Sequence, residues 1–321
     1  MRAAVCPSYG PPDVVRVEEL PTPTPAAGQV RVRVAAAAVN FPDVLLIANE
    51  YQLSVPPPFV PGSEFAGVVT EVTEAAGDLA VGDSVTGTGL YGAFAEEVVV
   101  PAAGLSRIPA GIDERTAAAF GVAYRTAYHT LRSVARLRPG EQLVVLGAGG
   151  GVGLAAVQLG IQLGASVTAV ASTAEKLAAA AGHGAHHLIN RRSVELRTAL
   201  REALPGGADA VIDPVGGELS EPALRSLRRG GRFVTVGYAS GVIPRIPLNL
   251  VLVKGVQILG FQFQDIAPDE LHRNDKELID LLATRRVLLH IGAVYPLDAT
   301  RDALRVVADS RAIGKVLIDL G

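Results

Sequence analysis

The chain has 321 residues with 49% apolar and 19% charged side chains, enough to bury full cores and too apolar for a disordered or polyanion-tracking protein. Its 29 basic and 32 acidic residues are interspersed and leave a net charge of −3, so no basic face for nucleic acid is expected. One cysteine, Cys6, excludes an internal disulfide and a thiolate-rich metal site.

The length suggests two domains with a cleft between them. Met1–Val5 runs straight into strand-like sequence, without the basic region, apolar stretch and cleavage site of an export signal, so a reducing cytoplasmic setting is expected. The first third holds short alternating strands such as Gln29–Val34 and Phe65–Val72, broken by Pro21-Thr22-Pro23-Thr24-Pro25 and Pro56-Pro57-Pro58. That pattern predicts an irregular β-barrel domain.

From Tyr124 the chain alternates strand-like and helical segments. Strands are expected at Leu143–Leu146, Ser166–Ala171, Ala210–Ile212, Arg232–Val236 and Gln257–Phe261, with helices at Val152–Leu163, Ala174–Ala181 and Leu219–Leu227. This is the grammar of a doubly wound parallel sheet. The uncharged stretch from Gln142 to Ala174 has the length of a membrane span, but its glycine density makes a buried strand, helix and strand the better reading. Arg225, Arg228, Arg229 and Arg232 read as a solvated helix end, and His183, His186 and His187 as a surface loop. A helix at Asp269–Leu282 and a strand at Lys315–Asp319 follow, the tail returning to the first domain. The expected division is 1–123 with 263–321, and 124–262.

The strongest motif is Leu143-Val144-Val145-Leu146-Gly147-Ala148-Gly149-Gly150-Gly151-Val152-Gly153. Glycines let backbone approach a pyrophosphate, whose charge then rests on free N–H groups at a helix start. Ala148 breaks the literal G-x-G-x-x-G pattern, yet the run follows a strand and opens a helix, as a dinucleotide turn requires. Gly149, Gly150, Gly151 and Val152 are therefore candidate cofactor residues. At the end of the next strand Ala171-Ser172-Thr173 stands where an acidic residue would select NADH. Ser172, with Lys176 one turn on and Arg191 and Arg192 beyond the third strand, favours NADPH.

These residues, with Val39-Asn40-Phe41-Pro42-Asp43, Pro61-Gly62-Ser63-Glu64, Phe120–Tyr128, Asp213-Pro214-Val215-Gly216-Gly217 and Gly314-Lys315-Val316, resemble the quinone oxidoreductase branch of the medium-chain dehydrogenase/reductase superfamily, over essentially the whole chain. The resemblance implies a GroES-like barrel domain beside a Rossmann domain. In the zinc alcohol dehydrogenases of that superfamily, metal-holding Cys and His stand at motifs that look like Asn40 and Ser63, with a third ligand near Val122. None of the three can serve here, so the resemblance implies a zinc-independent enzyme that passes hydride from NADPH to a conjugated carbonyl compound.

It further implies that Asn40, Asp43 and Tyr51 line the nicotinamide end, and that Thr126, Ser172, Lys176, Arg191, Gly237, Phe261 and Lys315 touch the cofactor. Competing readings stay open at this point. Asp43 also fits a helix cap behind Pro42, and Tyr51 also fits packing against Pro56–Pro58. An enoyl-thioester or 2-alkenal reductase and a crystallin-like NADPH-binding protein are the alternatives in function. The apolar run Val256–Phe261, expected at a sheet edge, points to a homodimer.

Overall fold

The computed structural model describes residues 1–321. They form two compact units, 1–122 with 291–321, and 123–290. Residues 263–290, expected with the first domain, group instead with the second.

The first unit begins with the antiparallel ribbon β1 (Arg2–Val5) and β2 (Arg16–Glu19), then the long strand β3 (Gln29–Val39) and helix α1 (Phe41–Ala48). Next come β4 (Glu64–Val72), β5 (Ser84–Thr88), β6 (Glu97–Pro101), β7 (Leu105–Arg107) and α2 (Glu114–Ala118). β3 is the hub, pairing antiparallel with both β4 and β6, and its alternating Val30, Val32 and Val34 are buried as period-two patterning demands. Register shifts along β3 and β4 bend the sheet. Phe65, Val85, Phe94 and Val316 fill the core of this barrel-like unit.

α3 (Gly121–His129) starts at the boundary and leads into the second unit. There β8 (Gln142–Leu146), α4 (Gly151–Gln162), β9 (Ser166–Ala171), α5 (Ala174–Gly182), β10 (His187–Asn190), α6 (Leu196–Ala203), β11 (Ala208–Asp213), α7 (Ser220–Ser226), β12 (Leu227–Thr235), α8 (Asn249–Lys254), β13 (Gln257–Gly260) and α9 (Pro268–Ala283) follow. The six strands run parallel in the order β10-β9-β8-β11-β12-β13, the strand order of a dinucleotide-binding sheet, with β13 at the expected edge. Leu143 to Leu146 are all fully buried, which is why their run reads as continuous rather than alternating.

α9 belongs to this unit because of polar contacts that sequence periodicity does not carry. Asp275 accepts both Arg125 Nε and Nη2 at 2.8 Å, and lies 3.1 Å from Nε2 of the fully buried His129. The arginine run is also placed differently from expectation. The helix stops at Ser226, and Arg232 lies in β12, bonded at 2.7 Å to Glu141 and at 2.8 Å to the Ala135 carbonyl. His183 is half-buried rather than superficial, 2.8 Å from the Gln158 side chain.

The chain then returns to the first unit through β14 (Ile291–Pro296), α10 (Thr300–Ala308) and β15 (Lys315–Asp319). β15 pairs antiparallel with β3, joining Val316 to Val39. No helix is long and apolar enough to cross a membrane.

Candidate functional site

Two groups of residues in the structure have the chemistry of a site, one in each unit.

In the second unit, the turn after β8 opens α4 with Gly150 as its N-cap, which brings no side chain to the helix start. The N–H groups of the first turn have no carbonyl to bond within the helix and favour an anion there. Gly153 is required by packing, since a Cβ at that position would sit 2.1 Å from the Gly147 carbonyl oxygen. Gly149 is required by a side chain: a Cβ there would meet Cβ and Cγ of Lys176 at 2.5 Å, so the lysine stem lies across the turn.

Lys176 is presented by α5, whose N-cap Thr173 accepts the Lys176 N–H at 3.3 Å. Burial, reinforced by Arg192 and Arg191, lowers the Lys176 ammonium from its ordinary value. Lys176 thus lies at the glycine turn under the influence of two arginines, with Ser172 half-buried just after β9. Arg191 lies 3.8 Å from Glu218, which is 85% exposed. Thr126 is buried in α3, Gly237 follows β12, and Phe261 follows β13, stacked edge-on to Phe263 at 4.9 Å. Phe263 in turn lies 5.1 Å from the Arg125 guanidinium.

In the first unit, five polar side chains share one buried centre: Asn40, Asp43, Ser63, Glu64 and Lys315, none more than 8% exposed. Asn40 follows β3 and caps α1, which carries Asp43, Ser63 precedes and Glu64 opens β4, and Lys315 opens β15, so three adjacent strand ends and one helix start deliver them. Lys315 Nζ donates to Asn40 Oδ1 at 2.6 Å and to Glu64 Oε2 at 3.0 Å. Asn40 Nδ2 donates to Glu64 Oε2 at 3.1 Å and to Ser63 Oγ at 3.3 Å. Glu64 Oε1 accepts the Val122 N–H at 2.7 Å.

Asp43 does act as a cap, its Oδ2 accepting the Asn40 backbone N–H at 2.7 Å, while Oδ1 has no partner. Burial pushes its carboxyl up to about 7, against the opposing pull of the Asn40 N–H, the Ser63 hydroxyl and Lys315. Asn40 and Asp43 therefore come together, and Lys315, expected among the cofactor residues, joins them. Tyr51 is half-buried against the barrel core, apart from the hydrogen bonds of this centre.

Glu64 was not singled out from sequence. A signal for it existed: an acid and a base, Glu64 and Lys315, each stand immediately before an apolar strand, where each needs an opposite charge if buried. A zinc site does not fit these residues. The two carboxylates of the centre, Asp43 and Glu64, stand with an amide, a hydroxyl and the Lys315 ammonium, which already bonds Glu64, and no group of three or more His, Cys, Asp or Glu side chains in the chain is arranged to hold a metal ion.

Family models match the chain twice: an alcohol dehydrogenase GroES-like domain over residues 26–110 and a zinc-binding dehydrogenase domain over 151–284. The bovine (Bos taurus) quinone oxidoreductase-like protein 2 is 35% identical over 324 residues, covering 99% of this chain and 92% of that protein. A stretch of the polyketide synthase GfsB of Streptomyces halstedii is 37% identical over 300 residues, 91% of this chain and 5% of the synthase. The Escherichia coli quinone oxidoreductase, solved in complex with NADPH, superposes with a TM-score of 0.92 at 28% identity, covering 99% of this chain and all of that one.

Proposed function

The chain belongs to the quinone oxidoreductase family of the medium-chain dehydrogenase/reductase superfamily, and we propose that within it the protein is a zinc-free, NADPH-dependent reductase of quinones or other conjugated carbonyl compounds. The family makes it an NAD(P)-dependent oxidoreductase. The observation that supports the finer reading is the polar centre, where a buried ammonium, Lys315, is bound to Asn40 and Glu64. Without a metal, an unactivated ketone would yield an alkoxide with little stabilisation. A quinone or enone brings its own electron sink, since the hydride adduct is a phenolate or enolate.

NADPH, when bound, supplies the hydride. Gly149, Gly150, Gly151 and Val152 would hold its pyrophosphate. Lys176, Arg191 and Ser172 would hold the 2′-phosphate that an acidic residue would repel. Thr126, Gly237 and Phe261 complete the proposed cofactor set, and Asn40, Asp43 and Tyr51 the proposed acceptor end. Similarity to a stretch of a polyketide synthase favours a second reading, reduction of an enoyl thioester.

The protein is further proposed to pair with a second copy through β13. That edge strand leaves backbone groups unpaired, Ile258 on it is 39% exposed, and in the preceding α8 Leu252 is 81% and Val253 68% exposed. One set of measurements on the purified protein tests all of this. Turnover of 1,4-benzoquinone, crotonyl-CoA and 2-alkenals is expected with NADPH in preference to NADH, with no stoichiometric zinc and a dimer mass by light scattering at micromolar concentration. NADPH binding without turnover of any acceptor would reduce the chain to a cofactor-binding protein and end the reductase reading. One zinc per chain, lost together with activity on chelation, would end the metal-free part.

A further inference from the structure

The charge of Lys315 is spent inside its own unit. Its side chain is 3% exposed, and Glu64, its ionic partner, is fully buried. The other oxygen of Glu64 is committed to the Val122 N–H. An ammonium offers only donors and a carboxylate only acceptors, so the Asn40 amide can face the pair in one way. Its oxygen meets Nζ and its nitrogen meets Oε2. Turned over, it would set Nδ2 against the ammonium and Oδ1 against the carboxylate, two repulsions in place of two bonds, in surroundings too dry to screen them.

We propose that Lys315 is the resident cation of this centre and a positioning residue that fixes the Asn40 carboxamide, rather than a ligand of the cofactor phosphates. The proposal deepens the reductase reading and rests on it for its kinetic arm alone. A lysine that binds phosphate needs its ammonium at a surface open to the ligand. Lys315 instead has anionic and amide partners on neighbouring strands of one sheet, and moving it outward would strand Glu64 without a counter-charge. Its charge also opposes entry of a divalent cation, because Asn40 and Glu64 are already occupied by it at hydrogen-bond distance.

The experiment compares Lys315→Met, Glu64→Gln and the double variant with the unmodified protein, reading thermal unfolding, the NADPH dissociation constant and kcat with the acceptor turned over fastest. Lys315→Met should lower the melting temperature by roughly 10 °C, because it leaves one buried charge unpaired. The double variant should regain at least half of that loss. NADPH affinity should stay within about threefold in both, whereas loss of a direct phosphate contact would cost roughly ten- to a hundredfold. In the double variant kcat should remain at least about tenfold down, since the amide of Asn40 has lost the charge that orients it.

A double variant no more stable than Lys315→Met would overturn the resident-cation assignment. So would an NADPH dissociation constant raised tenfold or more. A double variant with the original kcat would leave Lys315 a structural residue and remove the positioning role. Should the unmodified protein fail to bind NADPH, the reductase reading falls, and the unfolding comparison still decides whether Lys315 is the resident cation.

Discussion

The glycine turn of the second unit and the polar centre of the first are both assembled at strand ends, and they balance charge in opposite senses. At the turn, Arg191 and Arg192 act on Lys176, and Arg191 lies 3.8 Å from a largely exposed Glu218. Like charges stand close together there, and burial with the two arginines lowers the Lys176 ammonium from its ordinary value. At the polar centre one ammonium faces two buried carboxylates, Glu64 and Asp43. Negative charge is in excess, and a proton completes it. The first region therefore crowds cations, and the second takes a proton from the solvent.

The sharpest way to test that contrast is the pH dependence of stability, where the largest effect is expected. Asp43 is 1% exposed and its carboxyl is pushed up to about 7, chiefly by burial. In the unfolded chain the same group titrates near the ordinary ~3.9. Between those values the folded state holds a proton that the unfolded state releases. The contribution is therefore fully present below pH ~4, falls as pH rises toward 7, and is flat above that. A shift of about three pH units corresponds to a loss on the order of 4 kcal/mol. Asp43→Asn can still accept the Asn40 N–H but has no proton to lose, so its stability should lack this slope. Denaturant unfolding at pH 5, 6, 7 and 8 checks it: a difference between the two proteins that does not change with pH would mean that the centre does not take up a proton.

The complementary test breaks the other half. Lys176→Ala removes the cation whose stem lies across Gly149 and should weaken NADPH by roughly ten- to a hundredfold, equivalent to about 1.5–3 kcal/mol for a charge-assisted bond, with NADH barely changed. Fluorescence titration of both cofactors reads this directly. Equal weakening of the two would place Lys176 outside the phosphate site, and equal use of both by the unmodified protein would remove the NADPH preference itself.

The two regions also differ in how much of them the sequence discloses. The turn is written in adjacent residues, and the strands beside it follow from uninterrupted apolar runs: Ser166–Ala171 was expected with its observed bounds. The same holds for Lys315–Asp319. The polar centre depends on residues 251 positions apart, Glu64 and Lys315, and no local period links them. Other long-range charge pairs escaped for the same reason. Arg232 looked like a solvated helix end because its partner Glu141 is 91 residues away. The return of the tail to the first domain suggests that 263–290 goes with it, and the bond that ties this segment to the second unit, between Arg125 and Asp275, spans 150 residues and leaves no local pattern. Hydrophobic periodicity reports which face of an element is buried, whereas a buried ion pair is a property of two elements at once.

The smallest predicted effect concerns Tyr51, which stands at neither extreme of this comparison: it is half-buried on the barrel core, outside the hydrogen bonds of the polar centre. If its phenol serves as proton donor, the chemistry of the acceptor decides whether it matters. An enal or enoyl thioester leaves a carbon that must be protonated after hydride addition, and a positioned general acid contributes at least about a hundredfold to such a step at its best. A quinone leaves oxygens that water can protonate, and the tyrosine is then only wall. Tyr51→Phe keeps the ring and its packing and removes the donor alone. Quinone reduction is expected to survive nearly intact while enal or enoyl-CoA reduction falls by about tenfold, worth ~1.4 kcal/mol, or more. Steady-state rates for both acceptor classes decide the matter: equal losses would make Tyr51 a general binding residue, and no loss with either would return it to packing and leave the proton to come from water or from the proton-loaded centre around Asp43.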